Sequence, residues 1–337
     1  MPKLGKTKKE FNIYIQDFID YCKLKNLSIK TIKSYYQTLT LFSKYLEEEK
    51  QISTVDKVNK NIVEEYLEFT KERGKYSYVA NDKSLEINFQ QNRKDLGKQI
   101  SPITINCYLR NIKVFFNWLE ENQIIKLNTV SKAKFLKVNR KAKDQITDNE
   151  WKTLIKSMDL TKYHEYRDYV ITNLILDTGM RLTECINLNI NDIDLERRTI
   201  LIPAEITKGK KDRVVFYSPL MSKILQNWLR FKDSMQSSDL LFPTQRTNTI
   251  LTASNFERNF RTYLARAGID KNITPHSLRN NFARRFLIAS KGDIYTLSRL
   301  LGHSSVTVTE KAYLDLSDED LRKAYQKYSP LENIKKW

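Results

Sequence analysis

Between Lys132 and Lys143 the chain places six basic residues (Lys132, Lys134, Lys137, Arg140, Lys141, Lys143) and no acid. A run of like charge repels itself and extends. It therefore cuts the chain into two bodies, and a length of 337 residues is enough for two domains with a core each. Thr147 and Glu150 follow with the spacing of a capping box, which starts the second body. The charge is uneven across the cut. Residues 1–143 hold 28 Lys+Arg against 16 Asp+Glu, and residues 144–337 hold 30 against 24. The smaller part is thus the more basic one. With a net charge of +18 overall, it is expected to grip a polyanion, of which nucleic acid is the commonest. A basic linker can lie along a DNA backbone and let two domains close on the duplex.

Other classes fit poorly. The sequence holds no run of 18 apolar residues and no signal-peptide core near Met1–Glu10, so no membrane partner is expected and the protein is placed in the cytoplasm, on nucleoid DNA. Cys22, Cys107 and Cys185 are odd in number and far apart, which argues against a disulfide framework or a zinc site.

The first part reads as a helical bundle. Phe11, Ile15, Phe18, Ile19 and Cys22 recur at helical spacing, as do Ile32, Tyr36, Leu39, Phe42 and Leu46 after Ser28. Ile62, Val63, Tyr66 and Leu67 mark a third helix. Ile105, Leu109, Ile112, Phe116 and Leu119 mark a fourth, entered through Ser101-Pro102. These stripes are core. The opposite faces offer short polar and basic side chains of the kind that hold phosphates or enter the major groove: Lys30, Thr31, Lys33 and Ser34 on the second helix, and Thr104, Asn106, Arg110, Asn111 and Lys113 on the fourth. With Lys137, Arg140 and Lys141 of the basic run they are the candidate DNA contacts. Between Tyr76 and Gln99 the pattern lapses into a polar stretch that reads as an insertion or long loop.

In the second part Tyr169–Asp177 reads as a helix ended by Gly179, residues 192–203 as a strand, and Arg213–Tyr217 as its hairpin partner. Helices follow at about 219–232, 253–267, 276–290, 293–301 and 305–313. Cleaving a phosphodiester without a metal needs a nucleophile, fixed positive charge on the non-bridging oxygens, a proton donor to the leaving 5′ oxygen and a group to assist the nucleophile's proton. The chain offers Tyr313 as nucleophile, Arg181 and Arg279 as bidentate cations, Lys208 as donor, and His276 with His303 as proton-handling groups. Glu184, three residues after Arg181, can hold that guanidinium in place. No acidic cluster looks like a metal site, and no cofactor is expected.

These residues carry a resemblance. Thr178-Gly179-Met180-Arg181-Leu182-Thr183-Glu184, Thr207-Lys208-Gly209-Lys210-Lys211-Asp212-Arg213, Pro275-His276-Ser277-Leu278-Arg279 and Leu300-Leu301-Gly302-His303, followed by Tyr313, stand in the order seen in tyrosine recombinases, the phage-integrase and Xer family. The resemblance implies a mainly α fold with a small β-hairpin or sheet. It implies a helical core-binding domain over 1–130, a basic linker over 131–146 and a mixed α/β catalytic domain over 147–337. A C-terminal segment (Leu321, Ala324, Tyr325, Tyr328) would dock on a neighbouring protomer. It further implies that Arg181 and Arg279 bind the scissile phosphate, Lys208 protonates the leaving oxygen, His276 assists the tyrosine, His303 hydrogen-bonds the phosphate, Glu184 supports the site, and Tyr313 forms a 3′-phosphotyrosyl bond. The partners it implies are double-stranded DNA bearing inverted repeats and three further copies in a tetramer that passes through a Holliday junction, with an accessory DNA-binding factor as an option.

Two positions depart from the pattern: Tyr313 stands one residue further from His303 than is common, and Asn280 follows Arg279 where the family often has another histidine. Lys210 and Lys211 rival Lys208; Tyr325 and Tyr328 rival Tyr313. The stretch at 76–99 and the Lys/Tyr/Ile/Asn-rich composition point to an integrase or transposase of a mobile element. The alternatives are a Xer-type chromosome-dimer resolvase, a type IB topoisomerase, or a DNA-binding protein that has lost catalysis.

Overall fold

A computed structural model describes residues 10–80, 93–138, 144–207, 209–303 and 305–313, with backbone alone at 308 and 311–313. It contains two compact units, Met1–Arg140 and Lys141–Trp337.

The first unit is helical. Its helices are α1 (Phe11–Leu24), α2 (Ile29–Lys50), α3 (Lys60–Arg73) and α4 (Pro102–Glu121), and the last three start where their capping residues stand. The Ser28 hydroxyl accepts from Thr31 N, the Asn59 side chain from Asn61 N and Ile62 N, and Ser101 from Thr104 N ahead of Pro102. The apolar stripes turn inward. Phe11, Phe18, Phe42, Tyr66, Phe115 and Phe116 are nearly sealed from solvent and pack ring against ring. Each such burial stabilises the bundle by about 2 kcal/mol.

The described part of the basic run, up to residue 138, is partly tied to the bundle. Val130 and Ala133 are buried in the bundle core and Leu136 packs against it. The Asn106 amide bonds both backbone groups of Leu136: Nδ2 donates to its carbonyl at 2.9 Å and Oδ1 accepts its N–H at 2.8 Å. The apolar residues interleaved with the lysines decide the outcome, because burying them offsets the repulsion. The polar stretch after α3 is likewise anchored at its base. Lys75 N bonds Lys98 O and Gly97 N bonds Lys75 O. The Tyr78 hydroxyl donates to Glu48, and Arg73 donates to Tyr78 O.

The second unit is built around α6 (Tyr163–Thr178), preceded by α5 (Asp148–Lys156) with its Thr147/Glu150 capping box. Helix α6 starts six residues before the expected Tyr169. It is buried nearly all round, charged residues included. Asp168 is paired to Arg167, Asn259 and Tyr263, and Glu165 to Arg266. The short helix α7 (Leu182–Cys185) leads to an antiparallel sheet in the order β1 (Ile193–Asp194), β2 (Thr199–Ile202), β3 (Arg213–Phe216), with Ile200 opposite Val215 and Leu201 opposite Val214. The single strand expected over 192–203 is therefore folded into two. Arg198 takes a left-handed φ of 53° and Arg197 N bonds the Asp194 carboxylate, which turns the chain back. Helices α8 (Pro219–Met235), α9 (Ala253–Arg266), α10 (Pro275–Ala289), α11 (Ile294–Leu301) and α12 (Val306–Tyr313) complete the unit. Among the described residues no helix is long and apolar enough to cross a membrane.

Candidate active site

The site begins where α6 stops. Gly179 ends the helix with a left-handed φ of 68°, and a Cβ there would fall 2.3 Å from the Phe282 ring of α10. Only glycine allows both that turn and that approach. The contact brings α10 against the end of α6, and Arg279 of α10 donates from Nη1 to Gly179 O at 2.7 Å. Arg279 is 2% exposed. Its Nη2 donates to Leu301 O at 2.8 Å and lies 3.0 Å from His303 Nε2. A buried guanidinium bonded to two carbonyls keeps a fixed orientation.

Arg181 follows two residues after Gly179. Its backbone N–H donates to Glu184 Oε2 and its Nη1 to Oε1, both at 2.8 Å. Glu184 has no exposure, and a third guanidinium meets it from β3: Arg213 donates from Nη1 to Oε1 at 2.8 Å and from Nη2 to Oε2. Burial pushes the Glu184 carboxyl up, but the bonds and charges of Arg213 and Arg181 outweigh it and hold the carboxyl below its ordinary range. The stem of Arg213 lies against Gly302, where a Cβ would sit 2.7 Å from Arg213 Cδ. Gly302 ends α11 in the left-handed region and hands the chain to His303.

His303 lies among these cations. Burial first, then the charges of Arg279, Arg181, Arg213 and His276, pull its pKa down to about 4, so the ring is neutral at pH 7. Its Nδ1 is 2.8 Å from Thr309 Oγ1 on α12. His276 sits exposed in the first turn of α10, behind the Thr274 cap and Pro275. Tyr313 is the last residue of α12, four residues after Thr309; its side chain lies outside the described residues. So do Lys208, Arg140, Lys141, Leu321, Ala324, Tyr325 and Tyr328. The hairpin turn around Lys208 is closed by Thr207, whose hydroxyl accepts from Lys211 N.

The structure thus gathers Arg181, Glu184, Arg279 and His303, with the charge of His276 felt at the ring. Two neighbours were missed from sequence. Arg213 stands beside the more conspicuous lysines of the hairpin tip, yet alternation puts it on the same face as buried Val215 and an inward charge needs a partner. Thr309 carried no signal beyond standing one helical turn before Tyr313.

The candidate DNA face of the first unit needs correction. Asn106 and Asn111 are 9% and 4% exposed. Asn106 clamps Leu136, and Asn111 donates to Ser34 O, Ser34 Oγ and Thr38 Oγ1. Both amides are therefore bonded within the bundle, and Ser34 is drawn into the same network. Lys113 donates to Ser131 O and lies over the Phe135 ring. The hydroxyls of Thr31 and Thr104 each bond their helix cap. Lys30, Lys33, Arg110 and Lys137 remain as exposed cations.

Known proteins match along most of the chain. The phage integrase family profile covers residues 144–320, and the N-terminal SAM-like domain of phage integrases covers residues 15–86. Tyrosine recombinase XerD of Staphylococcus epidermidis is 28% identical over 326 residues, which is 95% of this chain and 99% of that protein. Tyrosine recombinase XerC of Chlamydia caviae is 29% identical over 304 residues, 87% of this chain and 91% of that one. Among solved structures, the Tn1549 transposon integrase in complex with transposon right end DNA superposes with a TM-score of 0.69 over 95% of this chain and all of that one; at 16% identity it speaks to the fold. The chain belongs to the phage integrase family, the tyrosine recombinases, enzymes that transfer DNA strands by means of a catalytic tyrosine.

Proposed function

We propose that this protein is a site-specific recombinase of the Xer type that cuts and rejoins duplex DNA through Tyr313. The observation that carries the reading is the junction of Gly179, Arg279 and His303. Two arginines from separate elements are fixed beside a neutral histidine, and that histidine is bonded to the helix that ends in Tyr313. A phosphodiester set there would meet Arg181 and Arg279 on its non-bridging oxygens, where charge grows in the transition state. The Tyr313 oxygen attacks phosphorus, its proton passing to His276. The 5′ oxygen leaves with a proton from Lys208, and His303 donates to the phosphate. One P–O bond forms as another breaks, so the 3′-phosphotyrosyl bond keeps the energy for rejoining without ATP. Four protomers on a site with inverted repeats would exchange two strand pairs through a Holliday junction. The first unit, with Lys30, Lys33, Arg110 and Lys137, grips the duplex.

The Xer type replaces the mobile-element role expected from residues 76–99 and composition. A likeness that runs through 99% of XerD weighs more than one polar stretch. The test is covalent trapping. The protein is incubated in EDTA with nicked genomic fragments, and DNA that stays attached in hot SDS is sequenced. Wild type traps DNA, while Tyr313→Phe lowers trapping by roughly a thousandfold or more. One chromosomal locus with inverted half-sites supports the Xer type. The ends of a mobile element would restore the other role, and scattered sites would favour a topoisomerase. Protein that shifts DNA on a gel yet traps none would overturn the catalytic reading.

A further inference from the structure

We propose that Thr309 is a positioning residue that ties His303 to the nucleophile's helix and, because its hydroxyl can both give and accept a hydrogen bond, lets His303 change tautomer when phosphate arrives. The proposal rests on the recombinase reading of this site.

Thr309 has no exposure and stands on α12 one turn before Tyr313, so the two residues share a face. Its Oγ1 lies 2.8 Å from His303 Nδ1, while the other ring nitrogen, Nε2, lies 3.0 Å from Arg279 Nη2. A guanidinium only donates. Without phosphate, Nε2 therefore accepts from Arg279. The ring is neutral and carries one proton, so that proton sits on Nδ1 and is donated to Thr309 Oγ1. A phosphate oxygen also only accepts. Held by Arg279, it would face a lone pair on Nε2, and His303 could give it nothing. For a ring that stays neutral, donation to phosphate needs the proton on Nε2 and an acceptor lone pair on Nδ1.

The change balances without altering charge: one proton leaves Nδ1 for water, one arrives at Nε2 from water, and the ring stays neutral. The partner of Nδ1 must then reverse its role. A carbonyl or carboxylate there would fix the proton on Nδ1, and a lysine or arginine would fix the lone pair. A hydroxyl serves both states by rotating its own proton. Because Thr309 is part of α12, the same bond holds the turn before Tyr313 against the phosphate-binding groups.

The test uses the full chain with ring-15N histidine, in which His164, His276 and His303 are the only histidines. Nitrogen shifts are read in the Tyr313→Phe background, free and bound to a recovered recombination site, with His303→Gln identifying the resonance. The Nδ1–H form is expected free and the Nε2–H form bound. In single-turnover cleavage, with Tyr313 present, Thr309→Val is expected to be roughly tenfold slower with site affinity within about twofold of wild type. Thr309→Ser, which keeps the hydroxyl, is expected to restore most of the rate. Equal rates for valine and wild type, failure of serine to exceed valine, or one tautomer in both states would overturn the proposal. A merely structural role would lower rate and thermal stability together and leave the tautomers unmoved. A wild type that traps no DNA overturns the recombinase reading beneath it instead.

Discussion

Asn106 and Asn111 in the first unit and Glu184 and Arg279 in the second are all buried polar side chains, yet they hold different things. The two amides bond backbone and hydroxyl groups of their own bundle. Glu184 and Arg279 hold other charged groups and the residues beside them: one carboxylate orients two guanidiniums, and one guanidinium joins the end of α6, the end of α11 and His303. In the first unit, burial marks the residues to remove from the functional list, and exposure leaves the candidates. In the second, burial fixes Glu184 and Arg279, the residues that orient the other charged groups of the candidate site. A duplex surface is met by mobile cations at its edge, whereas a reacting phosphorus needs donors whose directions are set beforehand.

The largest expected effect breaks that comparison at Glu184. Glu184→Gln keeps the shape and removes the charge, leaving Arg181 and Arg213 side by side without a shared counter-charge. Breaking a buried pair costs about 3–5 kcal/mol, and the lower end applies because Arg181 keeps 29% of its side-chain surface. Denaturant unfolding of the second unit should show a loss of about 3 kcal/mol, with adduct formation falling in parallel. A loss under about 1 kcal/mol, within reach of an ordinary surface pair, would mean that the carboxylate does not hold the arginines.

A smaller effect separates two adjacent residues of α4. Asn111→Ala leaves Ser34 O and Thr38 with lost partners and should cost about 2 kcal/mol, with DNA affinity unchanged once the protein is folded. Arg110 is exposed. Arg110→Ala should leave stability within about 0.5 kcal/mol and reduce the slope of log affinity against log salt by about one. Denaturant midpoints and a salt titration read both. If Asn111→Ala flattened the salt slope or Arg110→Ala lowered the midpoint, the division between holding and gripping residues would be reversed.

The same division explains what could be read in the sequence. The α1 stripe from Phe11 to Cys22 was legible because that helix has one wet face, so periodicity reports the core directly. The first six residues of α6 were not. Glu165 and Asp168 look like surface, and their partners Arg266, Asn259 and Tyr263 lie about a hundred residues away on α9. Arg181, His276, Arg279 and His303 were legible because few residue types can handle a phosphate and local spacing kept them in recognisable groups. Arg213 was hidden because its partner Glu184 lies 29 residues away. The inward turn of Asn106 and Asn111 is hidden because a polar residue near a basic face gives no sign of which way it points. On the run from Lys132, the charge is plain in the sequence, whereas nothing local shows that Ala133 and Leu136 pack onto the core.

The last prediction uses a further contrast: all three histidines lie in the second unit and none in the first. His303 has a folded pKa near 4 against an ordinary 6.5, lowered by burial and by Arg279, Arg181, Arg213 and His276. Between those values the unfolded chain binds the proton and the folded chain does not, so stability falls as pH drops. The contribution is complete above about pH 6.5, is lost progressively towards pH 4, and declines no further below it. Carboxylates titrate over part of the same window, so the useful quantity is a difference. Wild type minus His303→Gln, followed by unfolding of the second unit from pH 7 to pH 4.5, should decline with pH, while the first unit's transition is the same in both proteins. A flat difference would mean that the ring takes up its proton in the folded state. Below about pH 6.5 the cluster would then hold another cation beside the arginines, and the lowering of the His303 pKa by burial and its neighbours would have to be abandoned.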